Sequence, residues 1–142
     1  MDSPDDILHA TGVVVEGKGV LLIGPSGSGK SRLALELIGL GAQLICDDRV
    51  RLSSQDGRLY AHAVDTIAGM IEARGFGVLN CPHIARHSVE AVIDLQPQES
   101  ARFPKDEFIT LRGLILSKFN FNGTFTPAAA IHLWARYGRA EV

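Results

Sequence analysis

Eight consecutive residues, Gly24-Pro25-Ser26-Gly27-Ser28-Gly29-Lys30-Ser31, fit the spacing G-x-x-x-x-G-K-[ST] without a mismatch. Small residues in such a stretch let successive backbone N–H groups curl around phosphate oxygens, and the N-terminus of a following helix adds partial positive charge. The lysine reaches the outer phosphates, and the hydroxyl after it takes a Mg²⁺ position. All eight residues are therefore candidate nucleotide contacts, with Lys30 also a candidate catalytic cation and Ser31 a candidate metal ligand.

A phosphate loop implies a triphosphate and Mg²⁺ without saying what is done with them, so the acids and bases elsewhere must discriminate. Asp47-Asp48 follows Lys30 by 17 residues, at the end of the next apolar run. If that run is a strand, adjacent side chains point to opposite faces, and one carboxylate faces the metal while the other faces an acceptor whose hydroxyl proton it takes. Val92-Ile93-Asp94 has the same form, apolar residues and then an acid, and competes for the metal-facing role. Glu72-Ala73-Arg74-Gly75-Phe76-Gly77 reads as a loop carrying an acid and a base. Its carboxylate suits a Mg²⁺ shell, and its guanidinium suits the charge on a migrating phosphoryl group. Cys81, His83 and His87 fall within seven residues, but no fourth zinc ligand is evident. By residue type alone, His9 is a surface imidazole.

The elements that must hold these groups follow from periodicity. Thr11-Gly12-Val13-Val14-Val15 and Val20-Leu21-Leu22-Ile23 read as strands of an antiparallel hairpin, turned by Gly17 and Gly19. Ser31 to Leu40 places Leu33, Ala34, Leu37 and Ile38 on one helical face, with Gly39 and Gly41 as its stop. Gln43–Cys46 reads as a buried strand. Val50–Leu52 and Leu59–Ala61 form a second hairpin, a short helical turn is expected over 66–71, and Val89–Leu95 and Leu114–Leu116 are further strands. Thr126-Pro127 predicts a helix start, and Gly138 the end of that helix. The expected class is α/β, a mixed sheet with an N-terminal hairpin and few helices, forming one domain over 1–142.

Composition narrows the field. The chain has 142 residues, 46% hydrophobic and 21% charged, with 14 Lys+Arg against 16 Asp+Glu. Neither half carries the basic excess of a nucleic-acid or anionic-membrane binder, so neither partner is expected. No apolar run reaches the ~18 residues of a membrane span, and the acidic start is unlike a signal peptide, so a cytoplasmic setting is expected. Two cysteines do not make a disulfide framework.

These stretches together resemble the catalytic domain of bacterial HPr kinase/phosphorylase. The resemblance rests on His9-Ala10-Thr11-Gly12-Val13-Val14-Val15, Gly17 to Gly24, Gly29-Lys30-Ser31, Leu33 to Ile38, Asp47-Asp48-Arg49-Val50 and Glu72 to Asn80. It is dense over 9–95 and thin afterwards, and Arg32 stands where the family often has Glu. It implies a phosphate-loop kinase fold of the phosphoenolpyruvate-carboxykinase-like type, in a short form without the family's N-terminal domain. It further implies a serine kinase using ATP and Mg²⁺, reversible by inorganic phosphate, with the phosphocarrier HPr as partner and a homo-oligomer, a hexamer in the family. By the same resemblance His9 is catalytic, Asp48 accepts and returns the serine proton with Asp47 in support, and Ser31 and Glu72 are the Mg²⁺ ligands. A small-molecule phosphate-loop kinase and a non-catalytic ATP-binding regulatory module remain alternatives.

Overall fold

The structure, a computed structural model, describes residues 6–96, 106–121 and 127–141. A two-residue strand, β1 (Ile7–Leu8), leads into the expected hairpin of β2 (Thr11–Val15) and β3 (Lys18–Ile23). Its turn is Glu16-Gly17, both at positive φ. Gly19 is not part of that turn, contrary to the sequence reading. It lies inside β3, where a Cβ would stand 1.8 Å from the Ser88 carbonyl oxygen, so it is required for close approach of another strand.

The phosphate-loop segment follows β3 and enters α1 (Lys30–Gly39), after which β4 (Gln43–Cys46) runs as predicted. β5 (Val50–Gln55) and β6 (Arg58–His62) form the second hairpin around Asp56-Gly57, with longer strands than the apolar cores alone suggested. The expected helical turn is a single 3-10 turn at Asp65–Ile67. Glu72 to Gly77, read as a loop, belongs instead to a hairpin of β7 (Met70–Ala73) and β8 (Gly77–Asn80), with Arg74, Gly75 and Phe76 at its tip. Then come β9 (Arg86–Asp94), β10 (Glu107–Leu111), which the sequence reading missed, β11 (Leu114–Asn120) and α2 (Pro127–Tyr137). The predicted cap Thr126 lies outside the described residues. Gly138, at φ 76, ends α2 with its N–H donating to the Trp134 carbonyl.

β9 organises the sheet. One edge pairs parallel with β3; the other pairs antiparallel with β6 through its first residues and parallel with β11 through its last. The sheet branches there: β11, β9, β3, β2 and β4 form the central layer with β10 at its margin, while β6, β5 and β1 curl over one face. Between these layers lie Leu21, Ile45, Cys46, Val50, Leu52, Leu59 and Val92. On the opposite face α1 and α2 pack Leu33, Ala34, Leu37 and Ile131 against Val13, Val20, Leu22, Leu44 and Ile93. Burial on both faces explains the unbroken apolar runs of β3 and β4. A ten-residue helix is marginal alone, so the fit of Leu33, Ala34 and Leu37, which are almost fully buried, holds α1 in place. Burial of each leucine contributes about 1.5–3 kcal/mol. Gly12 has a packing reason as well: a Cβ there would stand 3.2 Å from both Ile45 and Val50.

Candidate active site

The ends of β3 and β4 and the start of β2 meet at one edge of the central layer, because Thr11 pairs with Leu22 and Gly12 with Cys46. The loop after β3 turns through Gly24, Gly27 and Gly29 at φ 146, 82 and 99, conformations that residues with a Cβ rarely adopt. Gly29 caps α1 without a side-chain hydrogen bond, and no acid occupies the helix's first turn. The first N–H groups of a helix lack intrahelical partners, so this end is electrostatically prepared for an anion. Lys30 is buried, its Nζ donating to the carbonyls of Gly24 at 2.8 Å and Pro25 at 3.4 Å, which holds the ammonium over the loop. Ser28 Oγ is buried with no partner among the described residues. A cradle of positive-φ glycines, an uncapped helix start, a buried ammonium and an orphan hydroxyl together fit a bound phosphate chain.

Asp47 and Asp48 leave β4 in different directions. Asp47 Oδ1 accepts hydrogen bonds from Ser31 Oγ at 2.6 Å and from Thr11 Oγ1 at 3.1 Å, so it is fastened to the phosphate loop. Asp48 lies at φ 67, in the left-handed region, and its carboxylate meets His9 Nε2 at 2.7 Å. The divergence expected from strand alternation is therefore present but has another cause: Asp48 is past the strand and turned by its backbone. His9 and Asp48 are 56% and 61% exposed. Pairs so exposed contribute only about 0–1 kcal/mol to stability, which leaves access to an incoming group as the physical consequence of their placement.

His9, Ser31, Asp47 and Asp48 are thus joined in one polar chain, and Thr11 is the link that sequence reasoning missed. Its hydroxyl is fully buried, donates to Asp47 and accepts from the Asp48 N–H at 3.1 Å. A hydroxyl opening a strand beside His9 was the available signal, but its use depends on the pairing of β2 with β4.

Glu72 and Arg74 stand apart from this chain. On β7, Ile71 and Ala73 are buried while Glu72 is exposed, and Arg74 lies at the exposed tip; neither has a polar side-chain partner among the described residues. The hairpin's root is near the site all the same. The chain after β8 runs beside β4, with the Leu44 N–H donating to the Pro82 carbonyl. Burial, with the Asp47 charge as a second cause, raises the Cys81 thiol above its ordinary pKa.

Asp94 ends β9 level with Ile23 and Asn120. Its carboxylate is occupied, accepting from the Gln96 N–H at 2.9 Å and facing Lys118 at 3.6 Å. Arg112 opens the turn at the other end of β11 and is paired with Asp6. His83 and His87 spend Nδ1 on the carbonyls of Cys81 and Ser88, and no group of three or more His, Cys, Asp or Glu converges for a metal among the described residues.

A strand, a glycine loop ending in Lys-Ser, a helix and an acidic strand end, set on a curled mixed sheet, define a phosphate-loop protein of the kinase type. The particular family is given by comparison: the chain belongs to the HPr Serine kinase C-terminal domain family, whose sequence model matches residues 3–98. It is 37% identical over 94 residues to an HPr kinase/phosphorylase of Clostridium tetani, covering 66% of this chain and 30% of that protein. It is 42% identical over 78 residues to one from Clostridium beijerinckii, covering 55% and 26%. The chain therefore spans less than a third of the length of these relatives. The solved structure of the Hpr(Ser) kinase/phosphatase from Coxiella burnetii superposes with a TM-score of 0.79 at 25% identity, covering 92% of this chain and 93% of that one. Among the described residues no helix is long and apolar enough to cross a membrane.

Proposed function

We propose that the chain is an ATP- and Mg²⁺-dependent protein serine kinase with HPr as acceptor, and that the same site runs the reverse reaction with inorganic phosphate. The observation carrying this reading is the polar chain from Ser31 through Asp47 and Thr11 to Asp48 and His9, which ties a phosphate loop to an exposed carboxylate.

In this reading the loop amides and Lys30 hold the phosphoryl oxygens, with Lys30 exchanging carbonyl contacts for phosphate. Ser31 and Glu72 would be the protein ligands for Mg²⁺, which would supply neutralisation of the phosphate charge. Glu72 serves this role from the exposed face of its hairpin, and Arg74 beside it offers a guanidinium to the charge in transfer. Asp48 takes the proton from the seryl hydroxyl as the seryl oxygen bonds to the γ-phosphorus and the bond to ADP breaks; in the reverse reaction inorganic phosphate takes the phosphoryl group as pyrophosphate and Asp48 returns the proton to the seryl oxygen. His9 keeps that carboxylate aimed outward. An acceptor as large as a protein needs an exposed base, and the Asp48–His9 pair meets that condition where a small-molecule kinase would enclose its acceptor.

The test uses purified protein, γ-labelled ATP, Mg²⁺ and HPr, with Lys30→Ala and Asp48→Asn beside the wild type. Label on HPr from the wild type alone is the expected result. Tight ATP binding without transfer to HPr would overturn the reading in favour of a regulatory module, and transfer by Asp48→Asn at the wild-type rate would remove Asp48 as the base.

A further inference from the structure

We propose that Thr11 is a positioning residue that assigns Asp47 and Asp48 their different tasks. The inference rests on the kinase reading above and adds a group to it.

Two neighbouring carboxylates at one strand end are chemically alike, and something must make them unequal. The single Thr11 proton goes to Asp47 Oδ1, so its oxygen is left to accept the Asp48 N–H. One side chain thereby fixes the carboxylate of the first aspartate and the backbone of the second. Asp47 Oδ1 holds two donors and is committed to the phosphate loop, leaving its second oxygen available. Asp48 is held with its amide turned inward at φ 67, a conformation that residues with a Cβ disfavour, and its carboxylate is thereby presented to His9 and solvent. Among the described residues the side-chain hydrogen bonds of Thr11 go to these two aspartates. It is fully buried, and its place is set by the pairing of Gly12 with Cys46 immediately beside it.

The test compares Thr11→Val, which keeps shape and removes the hydroxyl, with Thr11→Ser, which keeps the hydroxyl. Thr11→Val is expected to lower kcat about a hundredfold, the loss typical of a displaced reacting group, with ATP affinity within about threefold of wild type. Thr11→Ser is expected to stay within about threefold in both. A readout independent of turnover is hydrogen exchange at the Asp48 amide without nucleotide: slowed at least about tenfold in wild type and Thr11→Ser, and released in Thr11→Val. Wild-type kcat in Thr11→Val, a matching loss of ATP affinity, or a serine variant as impaired as the valine one would each overturn the proposal. If Thr11→Val does not fold, an unprotected Asp48 amide in the wild type overturns it and a protected one supports it. If the wild type transfers no phosphate, the kinase reading falls, and the amide measurement still decides whether the clamp exists.

Discussion

Two strands end in acids at the sheet edge that carries the phosphate loop, and their surroundings put them to opposite uses. β4 leads into Asp47-Asp48, where hydroxyls of Ser31 and Thr11 and the imidazole of His9 are the partners. β9 ends in Asp94, where Lys118 from the next strand faces the carboxylate and the Gln96 N–H fills one oxygen. The two hydroxyls on Asp47 leave that carboxylate its charge for other work, whereas the lysine beside Asp94 offsets it. An apolar run ending in aspartate is thus an ambiguous signal that is resolved by what stands on the neighbouring strand.

The sharpest way to break this contrast is to remove the charge at each end. Asp48→Asn is expected to cut kcat by about a thousandfold, roughly 4 kcal/mol of transition-state stabilisation, with the thermal midpoint little changed. Asp94→Asn is expected to keep kcat per folded molecule within about threefold, and a loss there as deep as that of Asp48→Asn would erase the distinction. Gly19→Ala acts on the frame that both ends share, since the new Cβ would meet the Ser88 carbonyl and push β9 off β3. A loss on the order of 3 kcal/mol in urea unfolding is expected, among the larger single-residue effects. Asp94→Asn itself should cost about 1–2 kcal/mol by the same measurement, because Lys118, mostly buried, loses its counter-charge.

The smallest effect reads the β4 end from a distance. Burial first, and the Asp47 charge second, raise the Cys81 thiol, so Asp47→Asn should speed its alkylation at pH 8 by about twofold, followed by mass spectrometry. Cys46, enclosed in the core, should stay unmodified while the protein is folded. Both thiols are raised in the folded state, so folding favours their protonated forms. Stability from this source is complete below the ordinary thiol pKa and falls as pH rises through the elevated values; equilibrium unfolding between pH 7 and 10 checks the sign.

What could be read from residues alone divides by the reach of the interaction. The phosphate loop, its helix and the β2–β3 hairpin are local, and their glycine and apolar spacing stated them directly. The β7–β8 hairpin was obscured because Gly75 and Gly77 resemble a loop, although Ile71 and Ala73 already alternate with Met70 and Glu72. β10 escaped although Phe108, Ile109 and Leu111 are apolar, because it is a short strand at the sheet's margin with no residue fully buried. Gly19 was given to the wrong job because its constraint is a backbone from far along the chain. Thr11 was passed over for the same reason, since its two partners lie 36 and 37 residues away.

The dependence of β3 on β9 also bears on how the protein is made. Every member of the polar chain, from His9 to Asp48, leaves the ribosome well before Arg86–Asp94, the strand that must flank β3. At roughly 5–20 residues per second, several seconds pass in which the phosphate loop exists as sequence but lacks its supporting neighbour. Parallel pairing across about seventy residues is slow to find, and the apolar edge of β3 stays open meanwhile. A ligand that binds the finished loop would arrive too late to guide this step, which depends on a strand that holds none of the proposed catalytic groups.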